Sequence, residues 1–254
     1  MHIKTPYLLF LGDAADPLAA KVAQGVCDWR SENALGQFRM EGCNADLGLN
    51  DMSIDEAVEA GVKTLVIGVA NRGGVIADSW IAVLREALAK GLDIASGLHN
   101  KLNDIPKLVS DAETYGRSLF DVRHPKATFP IAAGVKRSGK RLLPVGTDCS
   151  CGKMYTALAI EKELRKQGAK ADFRATGQTG ILITGEGVSI DAVIADFIAG
   201  AVEVLAPENE VDHWDVLWMD IGYECINAFA LRYSHHLLQN ERTNSLALIF
   251  VLHE

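Results

Sequence analysis

The chain has 254 residues, of which 48% are hydrophobic and 23% charged, with a net charge of −8 and a pI near 5.4. That length holds one large domain or two ordinary ones, each able to bury a core. The acidic balance makes the chain a poor non-specific binder of nucleic acid or of anionic membrane, and it leaves room for a local basic site for a phosphorylated ligand.

The first half alternates short apolar runs with amphipathic stretches. Tyr7 to Leu11 reads as a strand that stops at Gly12-Asp13, without the small-residue cleavage site of a signal peptide. Leu18, Val22, Val26 and Trp29 then repeat at helical spacing. Thr64 to Ala70 is rich in β-branched residues and ends at Asn71-Arg-Gly-Gly74, which predicts a buried strand and a turn. The next helix carries Trp80, Leu84 and Leu88 on one face and stops at Gly91. The alternation continues through Leu92–Ala95, Ile105–Tyr115 and Leu119–Val122. Such alternation predicts a parallel sheet covered by helices. The G-x-G-x-x-G fingerprint of dinucleotide binding is absent after the first strand.

Prolines at 125 and 130 and the basic cluster Lys136-Arg-Ser-Gly-Lys-Arg141 mark a boundary. The division expected is a first domain over 1–125, a linker over 126–141 and a second domain over 142–254. The basic cluster is either a solvated linker or an attractor for anions at the loop that follows. Leu142–Val145 reads as a short strand in which Pro144 is awkward, because proline cannot donate to a ladder. A helix is expected from about Met154 to Gln167, a strand over Ala171–Ala175, a helix over Val188–Leu205 and an apolar run over Val216–Met219.

No apolar run approaches the roughly 18 residues of a membrane span. The five cysteines, Cys27, Cys43, Cys149, Cys151 and Cys225, are odd in number and lack zinc-type spacing. A reduced, cytoplasmic protein is expected, with no bound metal and with neither nucleic acid nor membrane as partner.

Between the strand near 142–145 and the helix from about 154 lies Gly146-Thr147-Asp148-Cys149-Ser150-Cys151-Gly152-Lys153-Met154. Strand, glycine-rich loop with lysine, then helix is the context of a P-loop: backbone N–H groups, a helix N-terminus and a full positive charge converge on a phosphate. Two departures shape the chemistry. Five residues separate the glycines instead of four, as in the dethiobiotin synthetase branch of P-loop proteins. Met154 stands where a hydroxyl normally binds Mg²⁺, and a thioether is a poor ligand for a hard cation; Thr156 is a displaced substitute. The loop therefore suits a diphosphate such as that of coenzyme A better than Mg-ATP. Cys149 and Cys151 are either thiols activated at a helix N-terminus or small side chains packed under the loop. Asp148, a carboxylate beside bound phosphates, is a candidate site residue.

The run Gly146 to Leu158, then Phe173-Arg-Ala-Thr-Gly-Gln-Thr-Gly-Ile-Leu-Ile183 and Asp191 to Gly200, resembles the bacterial D-glutamate N-acetyltransferase family. In the first half, Tyr7–Asp13, Val66–Gly74, Ala95–Asn100 and Asp121–Pro125 are similar to its N-terminal part. The resemblance covers about residues 3 to 216. Beyond that, family members carry a Glu-Gly-Gln-Gly turn where this chain reads Leu217-Trp-Met-Asp-Ile-Gly-Tyr-Glu224, and they continue past a pair like His253-Glu254. The second domain is therefore expected to be divergent or incomplete after 216, with Asp220 either replacing the acidic turn or ending a strand.

The resemblance implies an α/β fold, with a Rossmann-like parallel-sheet domain followed by a P-loop NTPase-like α/β domain. It implies acetyl transfer from acetyl-CoA to the amine of D-glutamate, with a small-molecule amino-acid substrate and a homo-oligomeric enzyme. That reaction needs a diphosphate cradle, for which residues 146–154 serve. It needs cations for two carboxylates: Arg72, in the turn Asn71-Arg72-Gly73, and Arg174 are the candidates. It needs a base to free the amine, for which Asp148, His99 and His124 are candidates. It needs donors for an oxyanion, drawn from loop N–H groups or from Thr176, Gln178 and Thr179 in the polar turn after the Ala171–Ala175 strand. Asp121 and Arg123 are read as a pair with each other, and Asp196 as lying mid-helix. Two other readings stay open: an ATP-dependent kinase or ligase resembling dethiobiotin synthetase, and a nucleotide-binding regulator without catalysis.

Overall fold

In a computed structural model the protein is described over residues 2–124, 127–146, 152–218 and 246–251, with the backbone alone for 145, 146, 218 and 246–251. The chain divides into two compact units, Met1–Pro125 with Ile181–Glu186, and Lys126–Gly180 with Gly187–Glu254.

In the first unit, β1 (Tyr7–Gly12), β2 (Ala34–Arg39), β3 (Thr64–Ile67), β4 (Asp93–Ser96) and β5 (Leu119–Asp121) form one sheet. The order is β2-β1-β3-β4-β5 and every pairing is parallel. β1 is buried along its whole length, as a strand covered on both faces must be, which is why its sequence is a continuous apolar run. The connecting helices are α1 (Lys21–Trp29), α2 (Ile54–Glu59), α3 (Ile81–Ala89) and α4 (Pro106–Tyr115). Leu84, Ala87 and Leu88 of α3 join Leu8, Phe10, Leu65, Ile67 and Ile94 in one core. α2 opens with a capping box in which Ser53 and Glu56 satisfy each other's backbone N–H groups. α4 starts on Pro106 and ends on Gly116 in the left-handed region.

In the second unit the sheet order is β7-β8-β6-β9, again parallel. Its strands are β6 (Lys140–Gly146), β7 (Ala171–Ala175), β8 (Trp214–Trp218) and β9 (Leu246–Val251). Pairing of β8 with β6 ends at Leu142, two residues before Pro144; the other edge of β6 pairs with β9 through Gly146. α5 (Lys153–Lys166) follows β6, α6 (Gln178–Thr184) follows β7, and α7 (Ile198–Leu205) precedes β8.

Several expectations change. The strand expected over 142–145 begins at Lys140. The single helix expected over Val188–Leu205 is two short turns, Ile190–Ala192 and Ala195–Phe197, before α7. Ile190, Val193 and Ile198 still pack on Leu143 and Leu217, but Val193 and Ile194 are extended. Apolar spacing reports which residues face the sheet and cannot by itself decide the backbone. Asp196 is consequently exposed in a short turn and not in mid-helix. The polar turn expected at Gln178–Gly180 is the first turn of α6.

Three of the four cationic residues of the basic cluster are engaged within the second unit. Arg137 donates to the carbonyls of Glu203 and Ala206 at the end of α7. Arg141 donates to the Ser138 and Pro207 carbonyls. Lys140 pairs with Asp212 at 3.1 Å and lies over the Trp214 ring. The cluster sits at the start of β6, about 20 Å of extended chain from the glycine loop at its other end.

Candidate functional site

The carboxyl ends of adjacent parallel strands gather the polar loops of the first unit. The chain starts at β1, steps out to β2, then crosses back to β3, so the strand order reverses between β1 and β3. Open sheets of this kind bind ligands in the crevice beyond that reversal.

The turn after β3 is built by Asn71. Its side chain accepts from Val75 N–H at 2.9 Å and donates to the Val75 carbonyl at 2.8 Å, closing a loop over Arg72-Gly-Gly74. Gly73 and Gly74 both take positive φ, 76° and 58°. Arg72 is exposed at the turn, and among the described residues no carboxylate pairs with it. Gly74 is buried against the loop after β4: its carbonyl accepts from Asn100 N–H at 2.9 Å, and the Asn100 side chain accepts from Ile76 N–H at 3.2 Å. A Cβ on Gly74 would lie 2.6 Å from both the ring and the backbone nitrogen of His99.

The loop after β5 closes on the same place. His124 Nε2 lies 3.2 Å from the His99 carbonyl, and its backbone N–H bonds the Asp121 carbonyl at 2.9 Å. A carbonyl only accepts, so Nε2 is the donor in this contact. Arg123 donates to the Gly97 carbonyl at 3.3 Å. Asp121 does not pair with Arg123; it accepts from the N–H groups of Leu102 and Asn103 and from the Asn103 side chain. Asn71, Arg72, Gly73, His99 and His124 thus lie on three neighbouring loops at one edge.

Sequence reasoning did not single out Asp13. It follows β1, is exposed, and accepts from the indole N–H of Trp80 at 2.9 Å. Trp80 is only 1% exposed and stands edge-on to Phe10, with ring centroids 5.3 Å apart. The indole reaches Asp13 because the preceding residue has no side chain. Gly12 has φ 54°, and a Cβ there would lie 2.9 Å from the Trp80 ring. The Gly12-Asp13 pair after the first apolar run was the signal available in the sequence.

In the second unit the glycine loop joins β6 to α5. Gly152 takes φ 90° and caps α5, Lys153 is its first residue at 2% exposure, and Met154 follows it into the helix. Thr156 donates its backbone N–H to the Gly152 carbonyl at 3.0 Å and so belongs to the ordinary first turn. Thr147, Asp148, Cys149, Ser150 and Cys151 lie outside the described residues, as do Asp220 and Cys225.

Thr176 is fully buried after β7, and its carbonyl accepts from Ile190 N–H. Gln178 and Thr179, half-buried, open α6, and Gln178 Oε1 is buried without a hydrogen bond. Arg174 is not a free cation for substrate. Its Nε donates to Asp215, a fully buried carboxylate, at 2.7 Å, and it also pairs with Asp172 at 3.3 Å. Asp215 also receives the Asn209 amide. Asp172 and Asp215 are register partners near the starts of β7 and β8, so the guanidinium turns away from the carboxyl edge where the glycine loop lies. Among the described residues no cluster of metal-binding side chains is present, and no helix is long and apolar enough to cross a membrane.

Two family models match the chain. One describes a Rossmann-like domain of unknown function (DUF1611_N) over residues 38–125, the other a P-loop domain of unknown function (DUF1611_C) over residues 130–220. Two curated relatives, both named D-glutamate N-acetyltransferase, are similar to the chain. That from Tritonibacter scottomollicae is 63% identical over 215 residues and that from a Pseudoalteromonas species 52% identical over 217. Each match covers 85% of this chain and 65% of the relative, so the chain spans just under two thirds of these proteins. The crystal structure of a DUF1611 family protein from Anabaena variabilis superposes with a TM-score of 0.71 at 26% identity, covering 97% of this chain and 74% of that one.

Proposed function

The chain belongs to the two-domain DUF1611 family, and from that premise we propose that it transfers an acetyl group from acetyl-CoA to the amine of D-glutamate. The observation that carries this reading is the 63% identity over 215 residues to a relative named D-glutamate N-acetyltransferase. The local chemistry is compatible with each half of the reaction.

For the donor, the glycine loop and Lys153 hold the diphosphate of coenzyme A. Backbone N–H groups and the start of α5 supply directional donors, and the lysine supplies charge. Met154 immediately after Lys153 gives this loop no hydroxyl at the usual Mg²⁺ position, which favours a diphosphate that arrives without a catalytic metal over Mg-ATP.

For the acceptor, Arg72 binds a carboxylate from the turn that Asn71 closes and the two glycines permit. An ammonium is not nucleophilic, so the amine must lose a proton before it attacks the thioester carbonyl. His124, whose Nε2 is held by the His99 carbonyl, is the base in this reading, acting through Nδ1 of the neutral ring. Attack forms the C–N bond, and collapse of the tetrahedral intermediate breaks the C–S bond and releases the thiol of coenzyme A.

The test is thiol release from acetyl-CoA, with D-glutamate, L-glutamate and ATP plus Mg²⁺ in parallel arms. Release that requires D-glutamate and is lost in Lys153→Ala is the expected result. Phosphate release from ATP without thiol release would replace this reading with a kinase or ligase.

A further inference from the structure

We infer that Asp13 is the ammonium-recognising group of an amino-acid site at the strand-order reversal of the first sheet. This deepens the acetyltransferase reading and rests on it. β1 and β3 are adjacent and parallel, with Phe10 opposite Ile67 and Gly68 N–H bonded to the Phe10 carbonyl at 2.9 Å. β3 ends at that pairing and β1 two residues beyond it, so the loops that carry Arg72 and Asp13 leave the same end of the sheet from strands about 4.8 Å apart. Both residues are exposed.

An α-amino acid presents a cation and an anion a few ångströms apart. A site for it must offer the opposite pair, fixed in place. Arg72 offers the cation. Asp13 offers the anion, and its orientation is set by the buried Trp80 indole, which engages Oδ1 alone. Among the described residues that is its one hydrogen bond, so Oδ2 keeps its acceptor capacity.

Several other carboxylates on the loops at this end of the sheet are engaged within the protein. Asp121 is filled by three donors from Leu102 and Asn103. Asp46 is bonded by the Gln37 side chain and by Gly48 N–H, and the Arg39 guanidinium pairs with Asp51. Hydrogen bonding to Gln37 and Arg39 respectively holds both of these acids below the usual carboxylate range. Asp13 differs from them in that a buried indole fixes one carboxylate oxygen while, among the described residues, the other has no hydrogen bond.

The tripeptide Leu11-Gly12-Asp13 is shaped for this use. The left-handed glycine turns the chain sharply at the end of β1 and lets the indole ring close against the backbone. Loop 71–80 then runs from the Arg72 turn to Trp80, whose indole holds Asp13. Cation and anion are therefore tied to one another through a single short segment. That is the rigid support a charged pair needs to bind a small zwitterion.

Asp13→Asn is the discriminating variant, because the amide oxygen can still accept from Trp80 while the amide nitrogen repels an ammonium. Titration of the full chain with D-glutamate and with glutarate, which has both carboxylates and no amine, reads the ammonium contribution directly. The expected result is an affinity for D-glutamate lowered roughly 10- to 100-fold in Asp13→Asn, with glutarate binding unchanged and both ligands weakened in Arg72→Ala. Unchanged D-glutamate binding by Asp13→Asn would overturn the inference and leave the acetyltransferase reading standing. Equal losses of D-glutamate and glutarate would overturn it too, since the aspartate would then be shaping the loop and not reading the amine. A wild-type chain that neither binds nor acetylates D-glutamate would sink the underlying reading, and the inference with it.

Discussion

Replacing Gly74 with alanine tests how the acceptor edge is held together. Two costs add at this position. An L-residue at φ 58° costs about 1–2 kcal/mol for the left-handed backbone. The new methyl would also lie 2.6 Å from the His99 ring and 2.6 Å from its backbone nitrogen. The ring can swing aside, but the nitrogen belongs to a loop tied down by the Asn100–Gly74 and Ile76–Asn100 bonds. Relieving that overlap costs about 1–3 kcal/mol, as overpacking does elsewhere, for a total of about 2–5 kcal/mol. Gly73→Ala is the internal control. It shares the positive φ, 76°, but its nearest neighbour is Val75 Cγ2 at 3.4 Å, so it carries the backbone cost alone. Thermal unfolding should place Gly74→Ala below Gly73→Ala by roughly 2–12 °C, taking 2–4 °C per kcal/mol for a domain of this size. D-glutamate titration of the same variants should show the larger loss for Gly74→Ala, because the displaced His99 loop also holds His124. Equal melting temperatures and equal affinities for the two variants would refute the close-approach argument.

Three further outcomes follow from the packing. Tyr7 is fully buried with no hydrogen bond to its hydroxyl, and burial pushes its phenol up to about 12 from an ordinary value near 10. The neutral phenol is favoured in the folded state, so its stability contribution is whole below pH 10 and lost as the pH rises towards 12. Tyr7→Phe should gain about 1 kcal/mol at neutral pH and unfold less steeply than wild type above pH 10 in urea titrations; a parallel alkaline profile would contradict the assignment. Gly200→Ala would place a Cβ 1.8 Å from the Pro130 carbonyl oxygen, and the second unit should lose about 1–3 kcal/mol in denaturant unfolding; a neutral result would show that the Pro130 segment shifts freely. Arg174→Ala would leave the buried Asp215 carboxylate with the Asn209 amide at 3.3 Å and the His213 ring at 3.7 Å, costing about 3–5 kcal/mol, while D-glutamate affinity stays at the wild-type value. A selective loss of affinity without loss of stability would restore Arg174 to the site.

The sequence was readable where periodicity and turn chemistry agreed. Ala171–Ala175 is a strand over its whole expected length, whereas of the strand expected over Thr64–Ala70 only Thr64–Ile67 pairs. The α3 face of Leu84 and Leu88 is buried as its spacing predicts. Three elements were not visible. β2 reads Ala-Leu-Gly-Gln-Phe-Arg, with a glycine and a buried glutamine, and its pairing is completed by the distant Asn50–Met52 segment. α2 is six residues long, too short for a period to register, although its Ser53–Glu56 capping box was present to be read. β9 is apolar from Leu246 to Val251, but strand identity there depends on β6 lying alongside it.

At the site, sequence reasoning found the loops because glycine turns and histidines mark strand ends. Arg72 and His124 lie on loops whose bonds to one another no spacing rule contains. Arg174 was misplaced for the converse reason. Its position near a strand end suggested exposure to ligand, whereas a carboxylate 41 residues further on, Asp215, takes its guanidinium. Asp13 was passed over because an aspartate after glycine reads as an ordinary turn. Only the Trp80 indole, 67 residues away, distinguishes it.

The most direct test of the account is to incubate the chain with isotope-labelled acetyl-CoA and D-glutamate and look for labelled N-acetyl-D-glutamate by mass spectrometry. The account predicts labelled product with wild type and its loss in Lys153→Ala. Thiol release without labelled N-acetyl-D-glutamate, or labelled product undiminished in Lys153→Ala, would contradict it.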